Sequence, residues 1–530
     1  MKDTSFHPSD FTSDSENEEE IDCGEDEGGD DGEDDFISGD DDSQYYVVHK
    51  DKIRERFKTC HCGEPLLITE QFTTGSMLTV KYECTSFHRG TWESQPKVGR
   101  MAEGNLLTSA AILFAGGSYQ KFSDICNTLK LKLFSETYFM NVQRTFLLPA
   151  INDFYISQQE FTLDAFRNAG TESPEDQIQV TLLGDGRCDT PGHNAKYCSY
   201  SLMEETSQLI LDFQLVQVSE TTSSNAMERL GFERSLDFLE EEGIKIDCIV
   251  TDRHRGVGAV LKKRRDINHQ FDLFHFAKSI TKKLTQEASR RAKKDLGPWI
   301  KFIVNHLWHI SDTCQGDDVL LQEKWLSMLK HIGNIHVFPE NSIFTQCAHP
   351  HLDRADTDDI MWLRPGSPPH QALYNIATNK TLLKDLSHLT GFKHTGTVEV
   401  FHSMLLKYAP KRQHYFFHGM KGRLQLAVLD HNENVLREQA KTLEDEARRS
   451  AAFSKRTKRW VYRRLFEGKT YEFREYLMAD VVRRQASGQY KCGKVVLPDP
   501  GPDISGNIAP EERGDKQAII DGYMTRFGLR

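Results

Sequence analysis

Apolar positions change their spacing several times along this chain, and each change marks a boundary. Between Cys62 and Cys84 two strand-like runs, "PLLITEQFTT" and "MLTVKYEC", are separated by Gly75-Ser76. From Asn105 to about Gln158 the spacing turns helical. "NLLTSAAILFAGG", "SYQKFSDICNTLKL" and "SETYFMNVQRTFLLPAINDFY" predict three helices, divided by Gly116-Gly117 and a short "KLF" turn, with Ser135 as N-cap of the third. "IQVTLLGD" (Ile178 to Asp185) is filled by aliphatic and β-branched residues and predicts a buried strand that Gly184-Asp185-Gly186 would stop. "KYCSYSLMEE" and "QLILDFQLVQV" predict a hairpin, and "NAMERLGFERSLDFLEEEG" an amphipathic helix ending at Gly243. Ile246 to Thr251 form one more strand, closed by Asp252 and followed at once by a basic helix.

The order strand-Asp, strand, strand, helix, strand-Asp, helix is that of an α/β, ribonuclease-H-like mixed sheet, in which the first and fourth strands lie side by side. That adjacency would bring Asp185 to Asp252. Two close carboxylates repel unless a cation lies between them, and hard oxygen ligands select Mg²⁺ or Mn²⁺. Such ions activate an attacking oxygen and stabilise a leaving one at a phosphodiester, provided a third carboxylate completes the cage. Glu399 is the candidate: "GFKHTGTVEVFHSMLLKYAPKR" reads as a helix starting at Thr397 and Val398, with Phe401, Leu405 and Leu406 on one side. Glu399 lies 147 positions after Asp252, farther than a minimal core needs. Repeated helical patterns over 276–390, such as "AKSITKKLTQEASRRAKK" and "WIKFIVNHLWHISDT", predict a large α-helical insertion there. An aspartyl phosphatase is disfavoured, because that chemistry wants two acids one residue apart at a strand end and "DGRCD" separates them by three.

Charge alters the picture mainly at the start. The first 45 residues hold 19 acidic residues against one lysine, −18, so the remaining 485 carry +5 of the total −13. A Gly-Asp-Glu tract repels itself and buries no core, so residues 1–45 are expected to be a disordered acidic tail, either solvating or binding histones and other basic proteins. In the body, Arg253, Arg255, Lys262, Lys263, Arg264 and Arg265 follow the second Asp, and "RRSAAFSKRTKRWVYRR" adds a basic stretch with Trp460 and Tyr462 interleaved. Either cluster alone reads equally well as a solvated face; together they favour nucleic acid. No run of about eighteen apolar residues and no basic-then-apolar start is present, so neither a membrane span nor a secretory leader is expected. Eleven scattered cysteines then read as reduced thiols, some of them metal ligands.

Cys60, Cys62, Cys84 and His88 bracket the first two strand-like runs in the manner of a zinc ribbon, with a metal-free hairpin as the competing reading. The first knuckle is Cys60-x-Cys62 and the second Cys84-x₃-His88, a departure from paired C-x₂-C. The three helices that follow fit a helix-turn-helix-like segment, with Asn141 and Arg144 on the third helix at DNA-contacting positions, or a plain helical connector. "TQCAHPHLDR" groups Cys347, His349, His351 and Asp353; a polar loop is favoured there over a second metal site.

Five stretches in this order, "DGRCDTPGHNAKY", "TDRHRGVGAVLKK", "HQFDLFHFAKSITKKL", "NHLWH" and "TVEVFHSMLLKYAPKR", resemble DDE-class DNA transposases and transposase-derived proteins of animal genomes. The resemblance covers about residues 50–480, and "FDLFHFAK" is similar to the D-x-x-H motif of Mutator-like transposases. It implies that Asp185, Asp252 and Glu399 bind Mg²⁺ or Mn²⁺ for DNA cleavage and strand transfer, with Asp272 and His275 near the site and His275 contacting DNA or the scissile phosphate. Asp189 competes with Asp185 but stands farther from the strand end; Asp272 reads equally as a helix cap, and His402 as packed or solvent-facing. A domesticated, catalytically inactive DNA- or chromatin-binding protein is the alternative. The resemblance further implies nuclear residence and a homo-oligomer, and many relatives carry an N-terminal zinc finger where this chain has its acidic tail. The expected layout is the tail (1–45), zinc-ribbon-like hairpin (46–100), helix-turn-helix-like segment (101–165), first part of the core (176–275), helical insertion (276–390), closing helices (391–480) and a C-terminal tail (481–530).

Overall fold

Neighbouring residues in the central strands send their side chains into different cores. In the computed structural model, Leu183, Met203 and Val250 belong to one hydrophobic cluster, whereas Leu182, Leu202 and Ile249 belong to another. This is what a two-residue repeat does when both faces of a sheet are covered. The structure describes residues 45–169, 178–190, 195–221, 223–349, 360–442, 444–454, 458–490, 514–525 and 528–529. The acidic tail, His351 and Asp353, and most of the predicted C-terminal tail lie outside them.

The protein is mixed α/β. Its five-stranded mixed sheet comprises β6 (Val180–Cys188), β7 (Tyr197–Glu204), β8 (Ile210–Gln217), β9 (Ile246–Thr251) and β10 (Asn268–Phe271), in the order β10-β9-β6-β7-β8. β6, β7 and β8 run antiparallel, while β9 pairs in parallel with both β6 and β10. The helices Leu148–Asn168 and Phe417–Asn434 cover one face through Ile151 and Leu424, and Glu472–Ala486 packs against both helices, adding Leu477 to the same core. Ser224–Glu241 and Arg255–Leu261 cover the other through Phe232, Leu236 and Val257. Burying each such side chain contributes roughly 1.5–3 kcal/mol. A third cluster belongs to the helices between Leu273 and Leu389, centred on Trp325, which is fully buried and donates its indole N–H to the Ala377 carbonyl at 3.1 Å.

The ends of that helical block are tied to each other at the sheet edge. Leu273 N donates to Lys393 O at 3.1 Å, and Gly391 N to Gln270 Oε1 at 2.9 Å. A hydrogen bond of 2.7 Å joins His388 Nδ1 and His269 O. More than a hundred residues therefore leave and rejoin the sheet within one small region.

Several expectations need correction. Gly184-Asp185-Gly186 does not stop β6: pairing with β7 runs on to Cys188↔Cys198, while the parallel pairing with β9 ends at Gly184↔Thr251. The long neighbour β7 carries the strand onward, and the two glycines serve close approach. A Cβ on Gly184 would lie 2.6 Å from Tyr200 Oη, and one on Gly186 2.6 Å from Glu228 Cγ. Leu406 is 39% exposed, and Val398 takes its place beside Phe401 and Leu405 on the buried side. The third helix of the helix-turn-helix-like segment does not end near Tyr155; Glu136–Val142 continues through a π turn (Gln143–Leu147) into Leu148–Asn168. The helix Glu472–Ala486 crosses the expected boundary at 480, with Val481 fully buried. The closing region also contains a hairpin, β11 (Arg449–Ser454) with β12 (Arg459–Arg464), which holds the basic stretch. No helix among the described residues is long and apolar enough to cross a membrane.

One buried acid in this sheet has a pH signature. Asp212 on β8 accepts from Ser235 Oγ at 2.6 Å and from the side-chain amides of Gln159 and Gln214 at 3.1 and 2.9 Å. Burial nonetheless raises its carboxyl from 3.8 to about 6. The folded protein thus holds this proton more tightly than the unfolded chain, so stability falls as pH rises from about 4 to about 6 and stays reduced above. The cost at pH 7 is about 2–3 kcal/mol. Denaturation of Asp212→Asn and wild type at pH 4.5 and 7.5 is expected to show a smaller loss between the two pH values for the variant. Parallel losses would exclude Asp212 as the source.

Candidate functional site

Asp185 and Asp252 each follow the last residue of the parallel β6–β9 pairing, Gly184↔Thr251, so two adjacent strands present a carboxylate at the same level. Asp185 Oδ1 accepts from Gly186 N at 2.8 Å and keeps Oδ2 3.2 Å from His402 Nδ1. Asp252 Oδ1 lies 3.1 Å from His275 Nδ1, and Glu399 Oε1 3.5 Å from His275 Nε2. His275 therefore spans the second Asp and the Glu, as His402 adjoins the first. These carboxylates stay partly open: the side chains of Asp185, Asp252 and Glu399 are 26%, 41% and 40% exposed.

Asp272 holds two arms of the site together. It is 2% exposed; one oxygen caps the helix Leu273–Ala288 by accepting from His275 N at 2.6 Å. The other accepts from Thr395 N and Oγ1 at 2.6 and 2.7 Å. Thr395 is the N-cap of the helix Gly396–Leu405, which carries Glu399. One buried carboxylate thus sets the start of both helices, which makes Asp272 a cap and a bridge at once. Burial alone would raise its pKa, but the hydrogen bonds from His275 and Thr395 hold it at about 2.

The electrostatics are those of crowded acids. Burial pushes the Asp252 carboxyl up to about 6; His275 opposes the shift, and Asp185, Asp272 and Glu399 add to it. Burial also raises Glu399. His275 moves the other way, to about 9, first through the Asp272 carboxylate 3.2 Å from its Nδ1 and then through Asp252 and Glu399. A fourth acid, Glu228 on the helix Ser224–Glu241, is raised to about 8 by burial and then by Asp185 and Asp252. Glu228 was not singled out from the sequence. Its one signal there is Gly186 beside Asp185, the glycine against which it packs.

A divalent cation fits this donor set. Asp252 Oδ1 and His275 Nδ1 are buried, yet neither makes a well-aligned hydrogen bond to any described residue, and the same holds for His402 Nε2. Asp252, Asp272 and His275 bring ligand atoms within 4.8 Å of one another, a group that leaves out Asp185 and Glu399; the fit of a cation among Asp185, Asp252 and Glu399 rests on the mutual repulsion of these acids, which it would relieve. The chain matches no protein-family model and no curated protein.

Other candidate residues distribute differently. Asp189 is buried and accepts from Lys196 N at 3.0 Å, while its carbonyl takes Arg412 N at 2.9 Å, so it organises a loop. Arg253 pairs with Asp385 and lies over the Phe276 ring, 5.0 Å from its centroid, which engages it within the fold. Arg255, Lys262 and Lys263 are exposed on the helix behind Asp252 and just past its end. Asn141 and Arg144 are exposed on a helix whose other side, Val142 and Phe146, is buried; Arg144 sits 5.1 Å over Phe416. In the hairpin β11–β12, Trp460 and Tyr462 are 69% and 72% exposed among Arg459, Arg463 and Arg464.

Cys60, Cys62, Cys84 and His88 converge at one end of a three-stranded antiparallel sheet, β1 (Leu66–Thr74), β2 (Met77–Cys84) and β3 (Arg89–Glu93), one strand more than the pattern predicted. Cys62 and Cys84 Sγ are 3.8 Å apart, and His88 Nδ1 lies 3.5 Å from Cys84 and 3.8 Å from Cys60. A tetrahedron with Zn–S of about 2.3 Å and Zn–N of about 2.05 Å has S–S edges of about 3.8 Å and N–S edges of about 3.6 Å. These three contacts match those edges, and all four ligand atoms lie within 4.8 Å of one another despite the short Cys60-x-Cys62 spacing.

Proposed function

We propose that this protein is a transposase-like enzyme that cleaves and joins DNA with divalent metal ions held by Asp185, Asp252 and Glu399. The observation that carries the reading is the parallel β6–β9 pairing, which sets two acids from distant sequence at one level, with His275 linking the second of them to a third acid. The sheet order, three antiparallel strands followed by two parallel ones, supports a ribonuclease-H-like core, with 273–389 as its helical insertion. Mg²⁺ or Mn²⁺ bound by these acids would supply the Lewis-acid chemistry for attack on a phosphodiester.

The chain's own residues do the rest. Asp272 orients His275 and Glu399, and His275, a cation at neutral pH, faces the scissile phosphate. Arg255, Lys262 and Lys263 offer phosphate contacts beside Asp252. Trp460 and Tyr462 offer stacking surfaces for bases. The cysteine-rich sheet binds Zn²⁺, and the helical segment bearing Asn141 and Arg144 adds a DNA-binding surface. The same reading carries nuclear residence, a homo-oligomer and an acidic tail that engages basic proteins.

A second reading is favoured by one feature: His275 and His402 already stand within 3.1–3.5 Å of the three acids. A chain that has lost its metals would keep DNA or chromatin binding alone. Incubating purified protein with supercoiled and linear DNA in Mg²⁺ or Mn²⁺ separates the two. Nicked and joined products support the enzyme, and binding without products under either metal leaves the domesticated protein.

A further inference from the structure

A second four-donor cluster lies in the helical block. His331 ends the helix Asp318–His331, and His336, Cys347 and His349 follow on the adjoining loop; their ligand atoms all fall within 4.8 Å of one another. The contacts are His331 Nδ1 to Cys347 Sγ at 3.4 Å, Cys347 Sγ to His336 Nδ1 at 3.5 Å, and His349 Nε2 to His336 Nδ1 at 3.2 Å. Tetrahedral zinc with one sulfur and three nitrogens requires N–S edges of about 3.6 Å and N–N edges of about 3.3 Å.

We infer that His331, His336, Cys347 and His349 form a structural zinc site, separate from both the carboxylate cluster and the cysteine-rich sheet. The loop is built to deliver its ligands. Ile335 N donates to Lys330 O at 3.0 Å and Asn334 N to His331 O at 2.9 Å, with Asn334 in the left-handed region, which turns the chain directly after the helix. Cys347 N donates to His336 O at 2.9 Å, and Val337 bridges Gln346, so the two ligand-bearing arms run side by side. The Glu323 carboxylate gathers Ser342 N and Oγ, Ile343 N and Phe344 N at 2.6–2.9 Å and pins the tip of the loop to the helix. Trp362 walls the site, its ring edge-on to His331 and His336 at 5.8 and 5.7 Å.

The chemistry selects the ion. Three imidazoles and one thiol in a half-buried pocket suit a borderline-soft divalent ion, and four protein donors close the tetrahedron, which marks a structural rather than a catalytic site. The spacing is His-x₄-His-x₁₀-Cys-x-His, and its last knuckle repeats the ligand-x-ligand step of Cys60-x-Cys62. A metal site here departs from the polar loop that the sequence favours. Cys347 and His349 take two upstream histidines as partners, whereas His351 and Asp353 lie outside the described residues.

Metal content of the full chain tests this. A Cys62→Ser/Cys84→Ser variant removes thiolates from the cysteine-rich sheet and is expected to retain about one zinc per chain; adding His336→Ala and Cys347→Ser should bring the content to near zero. Loaded with Co²⁺, the Cys62→Ser/Cys84→Ser variant should show tetrahedral d–d bands with a weak, single-thiolate charge-transfer band. Introducing His349→Cys should raise that band about twofold without any need for a site-destroying change. Zinc content unaffected by the His336 and Cys347 substitutions, or a charge-transfer band unmoved by His349→Cys, would overturn the assignment.

Discussion

Asp252→Asn is expected to cut Mg²⁺-dependent DNA cleavage at least about a thousandfold while leaving DNA affinity within a factor of about two. The carboxylate is nearly isosteric with the amide, so the fold survives, but the amide offers one weak oxygen donor where a cation needs a charge. Losing about 4 kcal/mol of cation-mediated stabilisation of the transition state corresponds to that factor. Asp185→Asn and Glu399→Gln should behave alike, and pairs of these substitutions should be little worse than singles, because the acids act as one unit. His275→Ala is expected to fall less far, since it orients and neutralises and does not ligate. Cleavage assays on supercoiled DNA, run beside binding measurements, check all of these. Persistent metal-dependent nicking in Asp252→Asn would remove the cage from the mechanism.

Asp272→Ala should be the most destabilising single change at the site, by about 3–5 kcal/mol. It strips the acceptor from three donors, His275 N, Thr395 N and Thr395 Oγ1, and two of these bonds are buried. Each buried polar group left unpaired costs about 1–3 kcal/mol. It also uncaps two helices at once. Chemical denaturation of Asp272→Ala, Thr395→Val and the double variant forms a cycle, expected to return a coupling of about 1–2 kcal/mol between the two residues. Cleavage should drop even at temperatures where Asp272→Ala remains folded, because Glu399 and His275 lose their common anchor. A loss of stability under about 1 kcal/mol would show that Asp272 only decorates the turn.

Strand and helix patterning was legible because it is local. β6, β7, β8 and β9 lie where two-residue or continuous apolar runs predicted them, and Ser135 caps its helix through Tyr138 N at 3.3 Å. Asp185 and Asp252 could be paired on paper because the element order implied adjacent strands. The extent of β6 was misjudged at Gly184-Asp185-Gly186, where packing by Tyr200 and Glu228, and not turn formation, calls for glycine.

The sequence alone determined most of the strands and helices, though not β3 or the β11–β12 hairpin, together with where charge accumulates and which acids end apolar runs, since these follow from backbone propensity and side-chain period over a few residues. Only the tertiary structure decided which distant groups meet. Glu228 entered the acidic cluster from a helix packed across the sheet, His402 reached Asp185, and His331 and His336 joined Cys347 and His349. Those encounters depend on the crossing of helices over a twisted sheet and on the path of long connections, and no local periodicity encodes either.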